Sequence, residues 1–126
     1  MDAAQVVDEF IRRVTSDDLN GALELVTADV EYDNVPLGKN LGPEAMRTFL
    51  AAMTTGIDEV EFVIHRQVSA GNTVLNERSD RFRMGETWID LPVAGVFEVN
   101  DNGLITLWRD YFDMATFTDQ LTAALS

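Results

Sequence analysis

The chain contains no cysteine. Disulfides, thiolate metal sites and cysteine nucleophiles are thereby excluded. There is one histidine, His65; alone it cannot build a metal site, and it reads as a structural residue. No stretch approaches the ~20 consecutive apolar residues that a membrane-spanning helix needs. The opening Met1-Asp2-Ala3-Ala4-Gln5 carries neither a basic region nor an apolar run. No secretory signal is expected, and a cytoplasmic location follows as the expectation. Basic residues are scarce, nine Lys and Arg against 22 Asp and Glu, for a net charge of −13. Acidity of this size repels phosphate backbones and anionic membranes, so neither nucleic acid nor a membrane is an expected partner. The acid is spread along the chain, as on a well-solvated surface. Repeats, linkers and low-complexity segments are also lacking.

What is present is a globular composition. The 126 residues are 46% hydrophobic, enough for one domain over residues 1–126 that buries roughly two-thirds of its unfolded surface. Val6, Val7, Phe10, Ile11 and Val14 recur at helical spacing. Asp17 or Asp18 can cap a second helix carrying Ala22, Leu23, Leu25 and Val26. Val30 to Asn34 alternates like a strand, and Pro36, Gly38 and Gly42 mark a loop. Pro43 suits the first position of a third helix, whose stripe is Met46, Phe49, Leu50 and Met53.

From Val60 the period changes to two. Val60, Phe62 and Ile64 alternate, and Gly71-Asn72 is a hairpin signal. Strands are expected from Thr73 to about Arg83, from Trp88 to Val99, and from Leu104 to about Asp113, with turns at Gly85 and at Asp101-Asn102-Gly103. Pro92 implies an edge position or a bulge. Met114 to Leu125 can close as a helix. Helices followed by a meander make an α+β arrangement. A strongly curved sheet over helices would leave a cone-shaped cavity, a natural ligand site.

Two blocks carry unusual chemistry: Asn76-Glu77-Arg78-Ser79-Asp80 and Trp108-Arg109-Asp110-Tyr111-Phe112-Asp113. Alternate strand residues share a face. Arg78 and Asp80 therefore point with Val74, Asn76 and Phe82, and Asp110 with Leu104, Thr106, Trp108 and Phe112. Tyr32 and Asn34 share a face with Val30. If these faces converge, a cavity with apolar walls holds Tyr32, Asn34, Arg78, Asp80 and Asp110. Such a set can activate water: one carboxylate takes a proton while Asn and Tyr hold the water, and a second carboxyl supplies a proton to a leaving oxygen. Arginine can fix both carboxyl groups. Each residue also has a plainer reading. Arg78 and Asp80 could be a surface ion pair, Asp110 a partner for a buried backbone group, and Tyr32 a core residue. Glu77, Arg81, Arg109, Tyr111 and Asp113 alternate to the outer face.

Taken together, Tyr32-Asp33-Asn34-Val35-Pro36-Leu37, Asn76 to Asp80, Gly95-Val96-Phe97 and Trp108 to Asp113 resemble the limonene-1,2-epoxide hydrolase family, within the SnoaL-like, nuclear-transport-factor-2-like superfold. The blocks occur in order over nearly the whole chain. The resemblance implies N-terminal helices packed on a strongly curved, mixed but mostly antiparallel sheet. It further implies cofactor-independent, one-step addition of water to a small apolar epoxide, giving a vicinal diol; with one histidine and no cysteine, the activity is also expected to be metal-independent. In that scheme Tyr32, Asn34 and Asp110 bind the water, with Asp110 as base; Asp80 protonates the epoxide oxygen; Arg78 bridges the carboxyls. Phe82, Leu91, Val93, Phe112 and Phe117 are the candidate walls for the substrate. A homodimer through the outer sheet face is implied as well. Because the superfold hosts many activities, an epoxide-opening cyclase or other SnoaL-like isomerase or cyclase, and a non-catalytic ligand-binding domain, stand as alternatives.

Overall fold

A computed structural model describes residues 1–126. The first helix, α1 (Ala3–Thr15), starts at a capping box in which Asp2 accepts from the Gln5 N–H and the Gln5 side chain accepts from the Asp2 N–H. Its stripe Val6, Val7, Phe10 and Ile11 is buried. α2 (Leu19–Leu23) is a single turn capped by Asp18. The helical pattern expected to run on through Leu25 and Val26 stops there, because Val26 opens strand β1 (Val26–Asn34). Here pairing with the sheet overrides a local helical spacing.

The segment expected to be a loop after Pro36 contains a second strand, β2 (Gly38–Leu41). It folds back on β1 with Asn34 opposite Gly38 and Glu31 opposite Leu41. Pro36 lies in the connecting turn, so the breakers mark a hairpin. α3 (Pro43–Met53) begins at Pro43 as its spacing predicts. Then come β3 (Glu59–Ala70), β4 (Thr73–Met84), β5 (Thr87–Val99), β6 (Ile105–Tyr111) and α4 (Met114–Ala124).

The six strands form one mixed sheet in the order β2-β1-β6-β5-β4-β3. Only β1 and β6 are parallel; the other neighbours are antiparallel. This is the α+β arrangement expected from sequence. Pro92 sits in β5 opposite Ser79. Pairing of β5 with β6 begins only at Ala94, so Pro92 lies where β5 outruns β6 and has one strand neighbour, a local edge. Gln120 of α4 serves that edge, accepting from the Asp90 N–H at 2.9 Å and donating to the Asp90 carbonyl at 2.7 Å.

One expected face is corrected. A register shift between Glu98 and Val99 turns Ile105 into the core, so Leu104 and Thr106 do not share the buried face of Asp110. Beyond it, Trp108 and Asp110 point inward as expected. Trp108 centres the core, stacked on Tyr32 at 4.3 Å and on Phe97 at 5.7 Å, with Phe10 edge-on at 5.2 Å. Asp113 is a second correction. It leaves the sheet and caps α4, accepting from the Thr116 N–H at 3.0 Å. No helix is long and apolar enough to cross a membrane.

Candidate active site

Strand register places the polar residues in one transverse row. Gln67 pairs with Asn76, Asn76 with Gly95, Gly95 with Asp110, and Asp110 with Asn34. The next row holds Arg78 opposite Val93, followed by Asp80 opposite Leu91 and Phe82 opposite Ile89. All of Asn34, Asn76, Arg78, Asp80 and Asp110 are buried, with Arg78 only 1% exposed. The surface ion-pair reading of Arg78 and Asp80 is therefore excluded.

Arg78 grips Asp80 with two parallel bonds, Nε to Oδ1 and Nη2 to Oδ2, both 2.9 Å. The same Nη2 donates to Asp110 Oδ2 at 2.8 Å. Asp110 Oδ1 accepts from Trp108 Nε1 at 2.8 Å, so Asp110 bonds side chains and not a buried backbone group. Arg78 Nη1 donates to Asn76 Oδ1 at 2.9 Å. Phe62 covers the guanidinium, whose Cζ lies 5.1 Å from the ring centre.

One cation thus faces two carboxyl groups in an apolar setting. Burial pushes the Asp80 carboxyl up to about 6, against the opposing pull of Arg78. Asp110 is also raised by burial, with Arg78 and Trp108 holding it back. A proton kept on the pair leaves the three side chains neutral together, which a low-dielectric site favours. Burial, and then the Asp110 charge, push the Tyr32 phenol well above its ordinary value, so it stays protonated. Asn34 Nδ2 is buried, lies beside the Tyr32 phenol whose pKa it holds back slightly, and makes no hydrogen bond of good geometry within the protein. A buried donor left in that state is costly.

Tyr32, Asn34, Asp80 and Asp110 open onto one small cavity with largely apolar walls. Its walls include all five apolar residues predicted from sequence, Phe82, Leu91, Val93, Phe112 and Phe117. Phe117 comes from α4 and meets Phe82 edge-on at 6.4 Å. Arg78 lies behind the carboxylates and does not line the cavity. Leu37, Met53 and Phe62 are walls that sequence reasoning missed. Phe62 was visible as an inward position of an alternating strand; Leu37 and Met53 carried no signal beyond their apolar character.

Other singled-out residues lie outside the site. Arg109 is on the outer face, donating to Asp33 at 2.9 Å and Glu31 at 2.6 Å. His65 contacts the Ser79 hydroxyl at 2.8 Å through Nε2. No cluster of His, Asp and Glu is arranged to hold a metal.

Helices on a mixed six-stranded sheet, with two buried carboxyl groups clasped by one arginine beside an apolar cavity, give an α+β domain of the SnoaL-like fold whose side chains can supply both an acid and a base. A SnoaL-like protein from Shewanella denitrificans shares this fold at 20% identity, with a TM-score of 0.86 over 96% of this chain and 97% of that one. More specifically, residues 1–123 match the limonene-1,2-epoxide hydrolase catalytic domain, and the chain belongs to that family. It is 36% identical over 108 residues to the epoxide hydrolase EphG of Mycobacterium tuberculosis, covering 86% of this chain and 71% of that protein. The solved structure of an M. tuberculosis epoxide hydrolase of this family type superposes with a TM-score of 0.83 at 34% identity, over 98% of this chain and 91% of that one.

Proposed function

We propose that this protein is a cofactor-independent epoxide hydrolase that adds water to a small apolar epoxide in one step. The observation that carries the reading is the pair of buried carboxyl groups sharing one guanidinium nitrogen at the floor of an apolar cavity. Water lies against Asp110, held by Asn34 and the Tyr32 hydroxyl; the unpartnered Asn34 Nδ2 supports this assignment. Asp110 takes a proton as the water oxygen bonds to one epoxide carbon. The carbon–oxygen bond breaks, and Asp80 gives its proton to the departing ring oxygen. A vicinal diol results with no covalent enzyme intermediate. The proton gained by Asp110 and the one lost by Asp80 balance, and exchange with solvent resets the pair. Concerted push and pull avoids a free alkoxide. Arg78 holds both carboxyls and stays charged throughout.

The walls Phe82, Leu91, Val93, Phe112 and Phe117 select an apolar guest. A cyclase would need to keep water out, whereas a free amide donor beside a carboxylate suits a bound water. We also place the protein in the cytoplasm and pair it as a homodimer through the outer sheet face. There the register aligns Val68, Leu75 and Val96 beside the charged ladder, a mixture that suits a partly polar interface. The test of activity is a panel of cyclic and acyclic epoxides in oxygen-18 water. Labelled diol supports hydrolysis; unlabelled cyclic ethers or no turnover overturn it.

A further inference from the structure

We propose that Asn76 and Gln67 are positioning residues that orient Arg78, and through it the two aspartates. The inference rests on the hydrolase reading of the same site. Neither residue lines the cavity, so neither touches substrate.

The device begins with an irregularity in β3. Register shifts between Ile64 and Arg66, leaving His65 without a partner: Ile64 pairs with Arg78, but Arg66 pairs with Glu77 and Gln67 with Asn76. Before the bulge the inward residues are Phe62 and Ile64. A regular strand would turn Gln67 outward; the extra residue turns it inward, opposite Asn76. Bulges beside active sites commonly re-aim a side chain in this way.

The resulting hydrogen bonds have a fixed direction. Arg78 has only donors, so Nη1 requires an oxygen from Asn76, found at 2.9 Å. The Asn76 amide must then present Nδ2 to Gln67 Oε1, at 3.0 Å. Gln67 presents Nε2 to Asp8 Oδ1 on α1, also at 3.0 Å. A donor-only arginine at one end and a carboxylate at the other leave neither amide free to flip. Arg78 Nε and Nη2 serve the aspartates. Nη1 is the remaining corner of the guanidinium, and holding it fixes the plane of the whole group. The holder is neutral, so the cation remains directed at Asp80 and Asp110; a carboxylate at position 76 would divide it three ways.

The test measures kcat, KM and pH profiles on an epoxide that the wild type opens, together with carbon-13 titration of labelled Asp carboxyls, which needs no substrate. Asn76→Leu is expected to lower kcat about 10- to 100-fold, the usual scale for groups that orient catalytic ligands, with KM within about twofold. Gln67→Leu, at a half-exposed position, lowers kcat in the same sense by a smaller factor and keeps the fold. Gln67→Glu combined with Asp8→Asn keeps the acceptor for Asn76 and reverses only the outermost bond; it restores kcat to within about twofold. Asn76→Asp moves the acidic limb of the profile, and the carboxyl titration, to higher pH. The groups bearing on that titration are Arg78 on β4, the two aspartates on each other, the Trp108 indole N–H on β6 and Asp90 on β5. The helices α3 and α4 contribute only apolar Met53 and Phe117 to the cavity.

Wild-type kcat and unmoved profiles in Asn76→Leu, Gln67→Leu and Asn76→Asp would overturn the inference. So would equal loss in Gln67→Leu and the double variant, which would mark a packing role. If the wild type opens no epoxide, the hydrolase reading fails separately. The carboxyl titration then decides: a shift in Asn76→Asp and Gln67→Leu supports the positioning role, and no shift refutes it.

Discussion

The guanidinium of Arg78 occupies the place of the side chain that Gly95 lacks. A Cβ built on Gly95 would lie 2.3 Å from Arg78 Nη1 and 2.9 Å from both Asn76 Oδ1 and Asp110 Oδ1. Gly95 is the middle of the transverse row, flanked by Asn76 and Asp110 on the neighbouring strands. With no side chain there, the arginine of the next row reaches across and joins them.

Gly95→Ala is therefore expected to disturb the site from beneath. Arg78 is pinned by bonds to Asp80, Asp110 and Asn76 and cannot step aside freely. Overpacking of this kind costs about 1–3 kcal/mol. A thermal melt should show the loss of stability, and turnover should fall even where the protein remains folded. Wild-type stability and turnover would contradict the close packing described.

Tyr32→Phe and Asn34→Ala should each lower turnover while circular dichroism remains native. Loss of one preorganised polar group commonly costs ~10- to 1000-fold. Asn34→Ala also removes the buried unpartnered Nδ2, so its stability should suffer little from lost polar bonding. If both variants turn over at the wild-type rate, water is held elsewhere.

The aspartates should behave as one unit. Asp110→Asn and Asp80→Asn are each expected to cut turnover about 100- to 10,000-fold, and the double variant should be little worse than either single one. Stability should also depend on pH in a defined sense. Burial raises Asp80 to about 6 in the folded protein, against about 4 in the unfolded chain. An acid raised on folding contributes stability fully below the unfolded value and loses it as pH rises through the folded one. Relative to Asp80→Asn, the wild type should therefore lose stability between about pH 4 and above pH 6. Chemical denaturation across that range measures it; a gain with rising pH would reverse the assignment.

Chelation should leave activity intact. The proposed chemistry draws its acid, its base and its positive charge from side chains. Exhaustive EDTA treatment that abolishes turnover, with recovery on adding magnesium or calcium, would replace the metal-free mechanism.

Light scattering at micromolar concentration should give twice the chain mass. The outer face carries Tyr111, 48% exposed, and Leu75, 45% exposed, beside the ladder of Arg109 with Glu31 and Asp33. Substituting Leu75 by Asp should shift the mass toward the monomer. A monomer mass for the wild type would remove the proposed interface.

Local sequence determined a good part of this molecule. Period-two alternation put Arg78, Asp80 and Phe82 on one face of β4, and Tyr32 and Asn34 on one face of β1, because pleated strands permit nothing else without a bulge. Helical spacing and Pro43 set α1 and α3. Composition alone removed thiol chemistry. Tertiary structure decided the rest, through long-range pairing. Val26 and Leu25 left a helical pattern because β1 needed a partner in β6, far along the chain. Asp113 left the sheet because α4 needed a cap. The bulges at His65 and beside Val99 changed which residues face inward, and no local propensity announces a bulge. Above all, only the register of β4, β5, β6 and β1 brings Asn76, Gly95, Asp110 and Asn34 into one row. A gap at Gly95 means nothing until the strand beside it supplies the arginine that fills it.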